Sequence, residues 1–205
     1  MKYGVDNRKF WDRVSGSYDF VRKADKKAYD VIIGNIKEEI SKNSMVLEVA
    51  AGTGYISLHI ADSCGKIIAT DFSNEMIKVA NRKQKPENLS FSVQDATNLP
   101  YADKTFDVVI IAHALHIMPN PKKALLNIKR VLKDGGVLIA PNFIKRGNFL
   151  DAVVETPMKI LGFRTYSKWK YDEYLEFLKE NGLELIKHNI IKSKIPIAYV
   201  VVKKT

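Results

Sequence analysis

Five short and largely apolar runs, VLEVA (46–50), KIIAT (66–70), LSFSV (89–93), DVVIIA (107–112) and GVLIA (136–140), alternate with stretches whose apolar residues recur at helical spacing. Apolar strands separated by helices belong in a parallel sheet covered on both faces, because the crossover helices shield each face from water. The helical stretches are DKKAYDVIIGNIKEEI (25–40), YISLHIADS, NEMIKVANRKQ and PKKALLNIKRVLKDGG. In the last of these Ala124, Leu125, Ile128, Val131 and Leu132 share one face, and Gly135 and Gly136 are the expected helix stop.

Beyond residue 140 the rhythm changes. The stretch 141–170 is irregular and rich in aromatic and basic residues, and reads as an insertion over the sheet on the substrate side. A helix follows at DEYLEFLKENG (172–182), then two strands near LELIKHNII and IPIAYVVV with no helix between them. Such a pair is a hairpin, which puts an antiparallel strand at one sheet edge. The expected fold is α/β: a doubly wound, mostly parallel sheet of seven strands with helices on both faces. It forms one domain over 1–205, and residues 1–45 make an N-terminal helical cap. A chain of 205 residues can bury such a core without metal or disulfide staples.

The first strand ends in VLEVAAGTGY, where Ala50, Ala51, Gly52, Thr53 and Gly54 leave almost no side chain. Small residues let the backbone turn sharply and let another body approach it closely. In an open parallel sheet, ligands bind beyond the carboxyl ends of the strands, near the point where strand order reverses. About 20 residues on, Asp71 closes the second strand in IIATDFS, placed to accept hydrogen bonds from ribose hydroxyls. Loop and acid together indicate a cofactor containing a nucleoside. A dinucleotide fingerprint needs a third small residue where Ser57 stands, and no Walker spacing of Lys and Ser/Thr follows. A ribose-bearing cofactor without phosphates fits better.

The net charge of +10 raises the question of nucleic acid. The excess is dispersed: ten cations against seven acids in 1–45, eleven against nine in 46–140, twelve against seven in 141–205. That pattern suits a solvated basic surface, so no nucleic-acid partner is expected. The longest nearly apolar stretch, VVIIAHAL at 108–115, falls well short of the roughly 18 residues that cross a bilayer, so no stable membrane insertion is expected. Cys64 is the single cysteine, and the opening MKYGVDNRKFWDRVSGSYDF is polar and aromatic, which makes the cytoplasm the expected location.

Four segments in order carry a family resemblance: EVAAGTG (48–54), TDFSNEMIKVA (70–80), VQDATNLPYADKTFDVVIIAHALHIMPNP (93–121) and KRVLKDGGVLIA (129–140). Here the sequence resembles the class I S-adenosylmethionine-dependent methyltransferases, in particular the small single-domain group that includes the quinone-pathway C-methyltransferases. The likeness runs from about residue 10 to 140 and more loosely to the end. It departs at Ala50, a position often held by glycine.

The resemblance implies a Rossmann-like fold, S-adenosyl-L-methionine as cofactor and a small-molecule methyl acceptor. It further implies that Glu48 faces the amino end of the cofactor's methionine, with backbone at Ala50, Gly52 and Gly54 along the methionine and ribose. Asp71 would take the ribose diol, Phe72 a face of the adenine, Asp95 the adenine amino group, and Ala96 would offer its backbone. Tyr18, with Trp11 nearby, would fold over the cofactor, and His113 would lie near the reactive methyl.

Each assignment has a plainer counterpart. Glu48 could be a structural acid satisfied by a backbone amide, although an unpaired buried charge is costly. Asp71 could cap the next helix, and Asp95 could be a turn residue. His113 and His116, three apart in AHALHIM, could share a helical face as a proton-handling pair or be satisfied structural histidines. Tyr18 and Trp11 could be core anchors. Phe143, Arg146, Phe149, Phe163, Arg164, Tyr166 and Trp169 could line a substrate pocket or simply hold the insertion down. An acceptor lined by that set would be lipophilic.

Methyl transfer is a direct displacement that positioning and desolvation can drive, so no Ser-His-Asp triad or metal cluster is needed. The segment AHALH stands where amino-directed DNA methyltransferases carry Asn/Asp-Pro-Pro-aromatic. Neither a cytosine C5 mechanism nor arsenite methylation suits a chain with one cysteine placed before the second strand. Two other readings remain: a nicotinamide-dependent oxidoreductase, and a cofactor-binding protein of the same fold without catalysis.

Overall fold

The computed structural model describes residues 5–146 and 163–204. Two helices, α1 (Val5–Lys23) and α2 (Lys26–Glu39), precede the first strand, β1 (Met45–Val49). Then follow α3 (Tyr55–Ile60), β2 (Lys66–Asp71), α4 (Asn74–Asn81), β3 (Leu89–Val93), β4 (Phe106–Ile111), α5 (Pro121–Val131) and β5 (Leu132–Ile139). The chain closes with β6 (Asn142–Phe143), α6 (Tyr171–Glu180), β7 (Leu183–Ile191) and β8 (Ile197–Lys204).

The strands form one sheet in the order β3-β2-β1-β4-β5-β8-β6, with β7 paired to β8. Strands β1 to β5 pair parallel, as apolar runs joined by crossover helices require. The hairpin brings antiparallel pairing to the far edge, where the reversed strand is β8, seated between β5 and β7. Among the described residues eight strands are present where seven were expected, the extra one being two-residue β6 beside β8.

Side-chain alternation splits the core into two layers. Leu47, Val49, Val109, Ile111 and Leu138 pack under α5 and α6, against Leu125, Ile128, Tyr174 and Leu178. Val46, Ile67, Val108, Ile110 and Val201 face the other way, against Ile32, Ile36, Ile56 and Ile60 of α2 and α3.

The helix stop expected at Gly135 and Gly136 lies earlier, at Val131. The carbonyls of Arg130 and Val131 accept from the backbone N–H of Lys104 and Thr105 at 2.9 and 2.8 Å, and Leu132 pairs with Phe106. The residues after Val131 are thus drawn into the sheet, and both glycines sit inside β5. Phe149 of the expected insertion lies outside the described residues, and no helix among the described residues is long and apolar enough to cross a membrane.

Candidate active site

The order β3-β2-β1-β4-β5 reverses direction between β1 and β4, and a cavity of about 320 Å³ opens beyond the carboxyl ends of these strands. Its volume falls in the lower part of the range for small-molecule sites, which starts at about 300 Å³. The loop after β1 forms its floor. Ala50 and Gly52 line it with left-handed backbone, φ 57° and 56°. Ala50 pays for that conformation where glycine would not, yet its methyl leaves the cavity open.

Gly52 N–H donates to Asp71 Oδ2 at 2.8 Å, and Ser73 N–H donates to Asp71 Oδ1 at 2.8 Å. Each carboxylate oxygen keeps further acceptor capacity toward the cavity that Asp71 lines. Burial pushes the Asp71 carboxyl upward in pKa, partly offset by the N–H groups of Ser73 and Gly52. Phe72 and Asp95 line the same cavity, Phe72 41% exposed with the Arg8 guanidinium 4.8 Å from its ring centroid. One Asp95 oxygen accepts from Thr97 N–H at 2.8 Å, as in an Asx turn, and among the described residues no hydrogen bond reaches the other. Ala96 lies beside it, buried.

Helix α1 closes the cavity from above. Asn7, Trp11, Tyr18 and Arg22, at i, i+4, i+11 and i+15, share one helical face, and the first three reach the cavity. Side chains pin the helix down: Ser73 Oγ donates to Asp12 at 2.5 Å, Thr53 Oγ1 to Asp19 at 2.6 Å, and Lys83 pairs with Asp19 at 2.6 Å. Asn7 Nδ2 donates to the carbonyls of Ile117 and Arg164, tying α1 to the loop after β4. Trp11 packs edge-on against both Tyr18 and Phe163.

His113 lines the cavity at 9% exposure, and neither ring nitrogen has a hydrogen-bond partner among the described residues. Its backbone is left-handed, φ 54°, held by His113 N–H donating to Pro141 O at 2.8 Å, and its ring stacks on Phe143 at 4.2 Å. Burial, reinforced by nearby His116, drives the His113 pKa down to about 3, so the imidazole is neutral at physiological pH. His116 does not line the cavity. It meets Asn142 Oδ1 through Nδ1 at 2.8 Å, and burial lowers it to about 4. His113 stacks on the Phe143 ring while His116 meets it edge-on at 5.8 Å, and no hydrogen bond joins the two histidines among the described residues.

Two other expected residues also lie off this cavity. Gly54 has φ 78°, and a Cβ there would stand 2.4 Å from the Phe91 ring, so its bareness serves packing. Glu48, 2% exposed, accepts a hydrogen bond from Ser57 Oγ and lines a smaller void of about 30 Å³ directly behind Gly52 and His113. Burial raises its carboxyl to about 7, against the opposing effect of Ser57. Of the residues not singled out from sequence, Asn7, Arg8 and Arg22 carry polar chemistry at the site. The i+4 step from Tyr18 to Arg22 was a usable signal.

Residues 47–140 match the profile of the methyltransferase domain family. This segment is similar to a methyltransferase domain. Demethylmenaquinone methyltransferase of Renibacterium salmoninarum is 45% identical over 98 residues, 48% of this chain and 40% of that protein. The ubiquinone/menaquinone biosynthesis C-methyltransferase UbiE of Ectopseudomonas mendocina is 34% identical over 122 residues, 56% of this chain and 48% of that one. The chain thus spans about half the length of the curated relatives it matches. The chain shares its fold with a chain of the complex between the Haloferax volcanii Trm112 methyltransferase activator and a methyltransferase, at TM-score 0.83 and 18% identity over 96% of both chains. A DhpI–SAH complex superposes at TM-score 0.75 and 22% identity, covering 97% of this chain and 95% of that one.

Proposed function

We propose that the chain is a methyltransferase that uses S-adenosyl-L-methionine and acts on a small, lipophilic acceptor of the quinone-precursor kind. The observation that carries this reading is Asp71, fixed by Gly52 and Ser73 at the cavity floor with acceptor capacity turned inward. Such a carboxylate suits a ribose diol. Phe72 offers a ring face for adenine, Asp95 an unused oxygen for its amino group, and Ala96 a neighbouring backbone. The relatives' names support the acceptor class.

The cofactor, when bound, supplies an electrophilic methyl carbon. The protein's part is to hold and enclose. Trp11 and Tyr18 exclude water, which favours a displacement that disperses charge. His113, held neutral at the cavity wall, offers one acceptor nitrogen to an acceptor hydroxyl or to the proton it releases, as a weak base whose low pKa reflects its burial. His116, turned toward Asn142, fixes the loop that carries His113. The nicotinamide reading is not favoured, since Ser57, where a dinucleotide loop has its third small residue, is engaged with Glu48.

Calorimetry with S-adenosylmethionine, followed by labelled methyl transfer to a panel of quinol, phenol, amine and thiol acceptors, tests the proposal. Binding with transfer to a quinol is the expected result. Asp71→Asn should weaken binding about tenfold, the value of roughly one charge-assisted hydrogen bond. Absence of binding by the unaltered chain contradicts the proposal, and binding without transfer to any acceptor favours the non-catalytic reading.

A further inference from the structure

Seven cations stand in three short segments on the carboxyl-end side of the sheet: Lys145 and Arg146 after β6, Arg164, Lys168 and Lys170 before α6, and Lys192 and Lys194 between β7 and β8. No acid occurs in 141–146, 163–170 or 192–196. Backbone contacts hold the three segments together. Lys145 N–H donates to Trp169 O at 2.9 Å, Ile144 N–H to Pro196 O at 3.0 Å, and the Arg146 guanidinium to Lys194 O at 2.6 Å. Six of the seven side chains are exposed, and Lys145 is half-buried.

The surplus that runs thinly along the sequence is thus gathered on one face. Residues 147–162, outside the described ones, add one cation, Lys159, against two acids, Asp151 and Glu155, which leaves a surplus of six within the chain's +10. The amino ends of the strands are built differently. There Asp62 pairs with Lys37, Asp103 with Arg130, Asp107 with Lys133, and Asp134 with both Lys104 and Lys204. An ordinary solvated surface intersperses the two signs in that way, whereas a one-signed face repels itself and concentrates an anionic partner. Of the acids bordering the basic face, Asp25 accepts from Ser193 Oγ, and Glu173 from Lys170 N–H at 2.8 Å.

The face adjoins the cavity. Arg164 N–H donates to Asn7 Oδ1 at 3.1 Å, and Asn7 lines the cavity mouth. Tyr166 N–H and Ser167 N–H donate to His116 O at 2.9 and 3.0 Å, which seats this segment on the loop after β4. Among the cations Tyr166 is 38% exposed, and Ile195 and Pro196 are half-buried beside Lys194. Cations interleaved with an exposed phenol ring and apolar loop residues suit a headgroup layer, where phosphate meets the charges and the acyl boundary meets the rest.

We propose that this face docks the protein on an anionic lipid surface, with the cavity mouth turned toward the bilayer from which the acceptor is drawn. The choice of lipid over other polyanions rests on the lipophilic acceptor proposed above. Attachment is peripheral and electrostatic, since no helix among the described residues is long and apolar enough to cross a membrane.

Sedimentation with phosphatidylcholine vesicles, with and without phosphatidylglycerol, tests the proposal. Neither cofactor nor acceptor is added, so failure here leaves the methyltransferase reading standing, and failure to bind cofactor leaves the docking standing. The unaltered chain should bind only the anionic vesicles and leave them near 1 M salt, where screening acts within about 3 Å. Combined Lys170→Gln, Lys192→Gln and Lys194→Gln should weaken binding roughly 100-fold, about fivefold per cation. Combined Lys42→Gln, Lys66→Gln and Lys104→Gln, the same change of charge at the amino ends of β1, β2 and β4, should leave it nearly unchanged. In the unaltered chain anionic vesicles should shield Lys170, Lys192 and Lys194 from acetylation more than Lys66 and Lys104, a readout that needs no variant. Equal binding to neutral vesicles, equal loss in both variants, or uniform shielding overturns the proposal. Tighter binding to an oligonucleotide duplex than to anionic vesicles, with the same lysines shielded, overturns the lipid assignment in favour of nucleic acid.

Discussion

Gly52 donates its backbone N–H to the Asp71 carboxylate at 2.8 Å, which binds the loop after β1 to the end of β2. The two walls that meet at the cavity floor therefore move as one. Position 52 answers to the ligand side of this unit, position 54 to the packing side, and the two glycines have different sensitivities.

Gly54→Ala places a Cβ 2.4 Å from the Phe91 ring at φ 78°. It should destabilise the fold by about 2–4 kcal/mol, combining strain and overpacking. Gly52→Ala meets only Tyr18 at 3.5 Å, an ordinary contact, and should cost about 1 kcal/mol. Its methyl should instead weaken cofactor binding, by about tenfold. Urea unfolding and calorimetry on both variants separate the two effects.

Glu48 makes the free protein sensitive to pH. Its carboxyl is raised to about 7 in the fold, from an ordinary value of 4.5. The folded state therefore binds more protons than the unfolded one between those values, so stability falls as pH rises through that window and levels off above it. The span corresponds to a loss on the order of 3 kcal/mol. Glu48→Gln, which keeps an acceptor for Ser57, should match the unaltered chain near pH 4 and exceed it at pH 8 in urea midpoint. Parallel profiles for the two proteins would remove Glu48 from this role.

His113 should govern turnover without governing cofactor affinity. With its imidazole held down at about 3, the rate should show no ionisation of this residue between pH 5 and 9. His113→Gln should lower kcat by about 100-fold, in line with loss of a positioned base. S-adenosylhomocysteine affinity should change little. A kcat unaffected by the substitution would show that the acceptor needs no base.

Much of the frame was legible in the chain. Apolar runs such as DVVIIA and the helical face of 121–132 specify parallel strands and their cover, because burial on both faces leaves little choice of side-chain pattern. The place of Asp71, at the end of β2 and lining the cavity, was readable from its spacing. The end of α5 was not, since Leu132, Lys133 and Asp134 suit helix or strand, and the carbonyl bonds from 104 and 105 decide between them. The seat of β8 between β5 and β7 rests on pairings between distant segments, to which local pattern is blind. Glu48 shares the parity of Val46, whose face packs on α2 and α3, so its turn toward Ser57 and the deeper void follows from strand alternation. Arg22 reaches the site only when α1 lies across the loop, bringing it to Tyr55 and to the void that Glu48 lines.

A crystal structure of the chain with S-adenosylhomocysteine tests the central claim most directly. The account expects the ribose hydroxyls on Asp71, the adenine against Phe72 and Asp95, and the sulfur on the side of His113. A ligand seated elsewhere, with the space between Asp71 and His113 filled by the protein's own side chains, would contradict it.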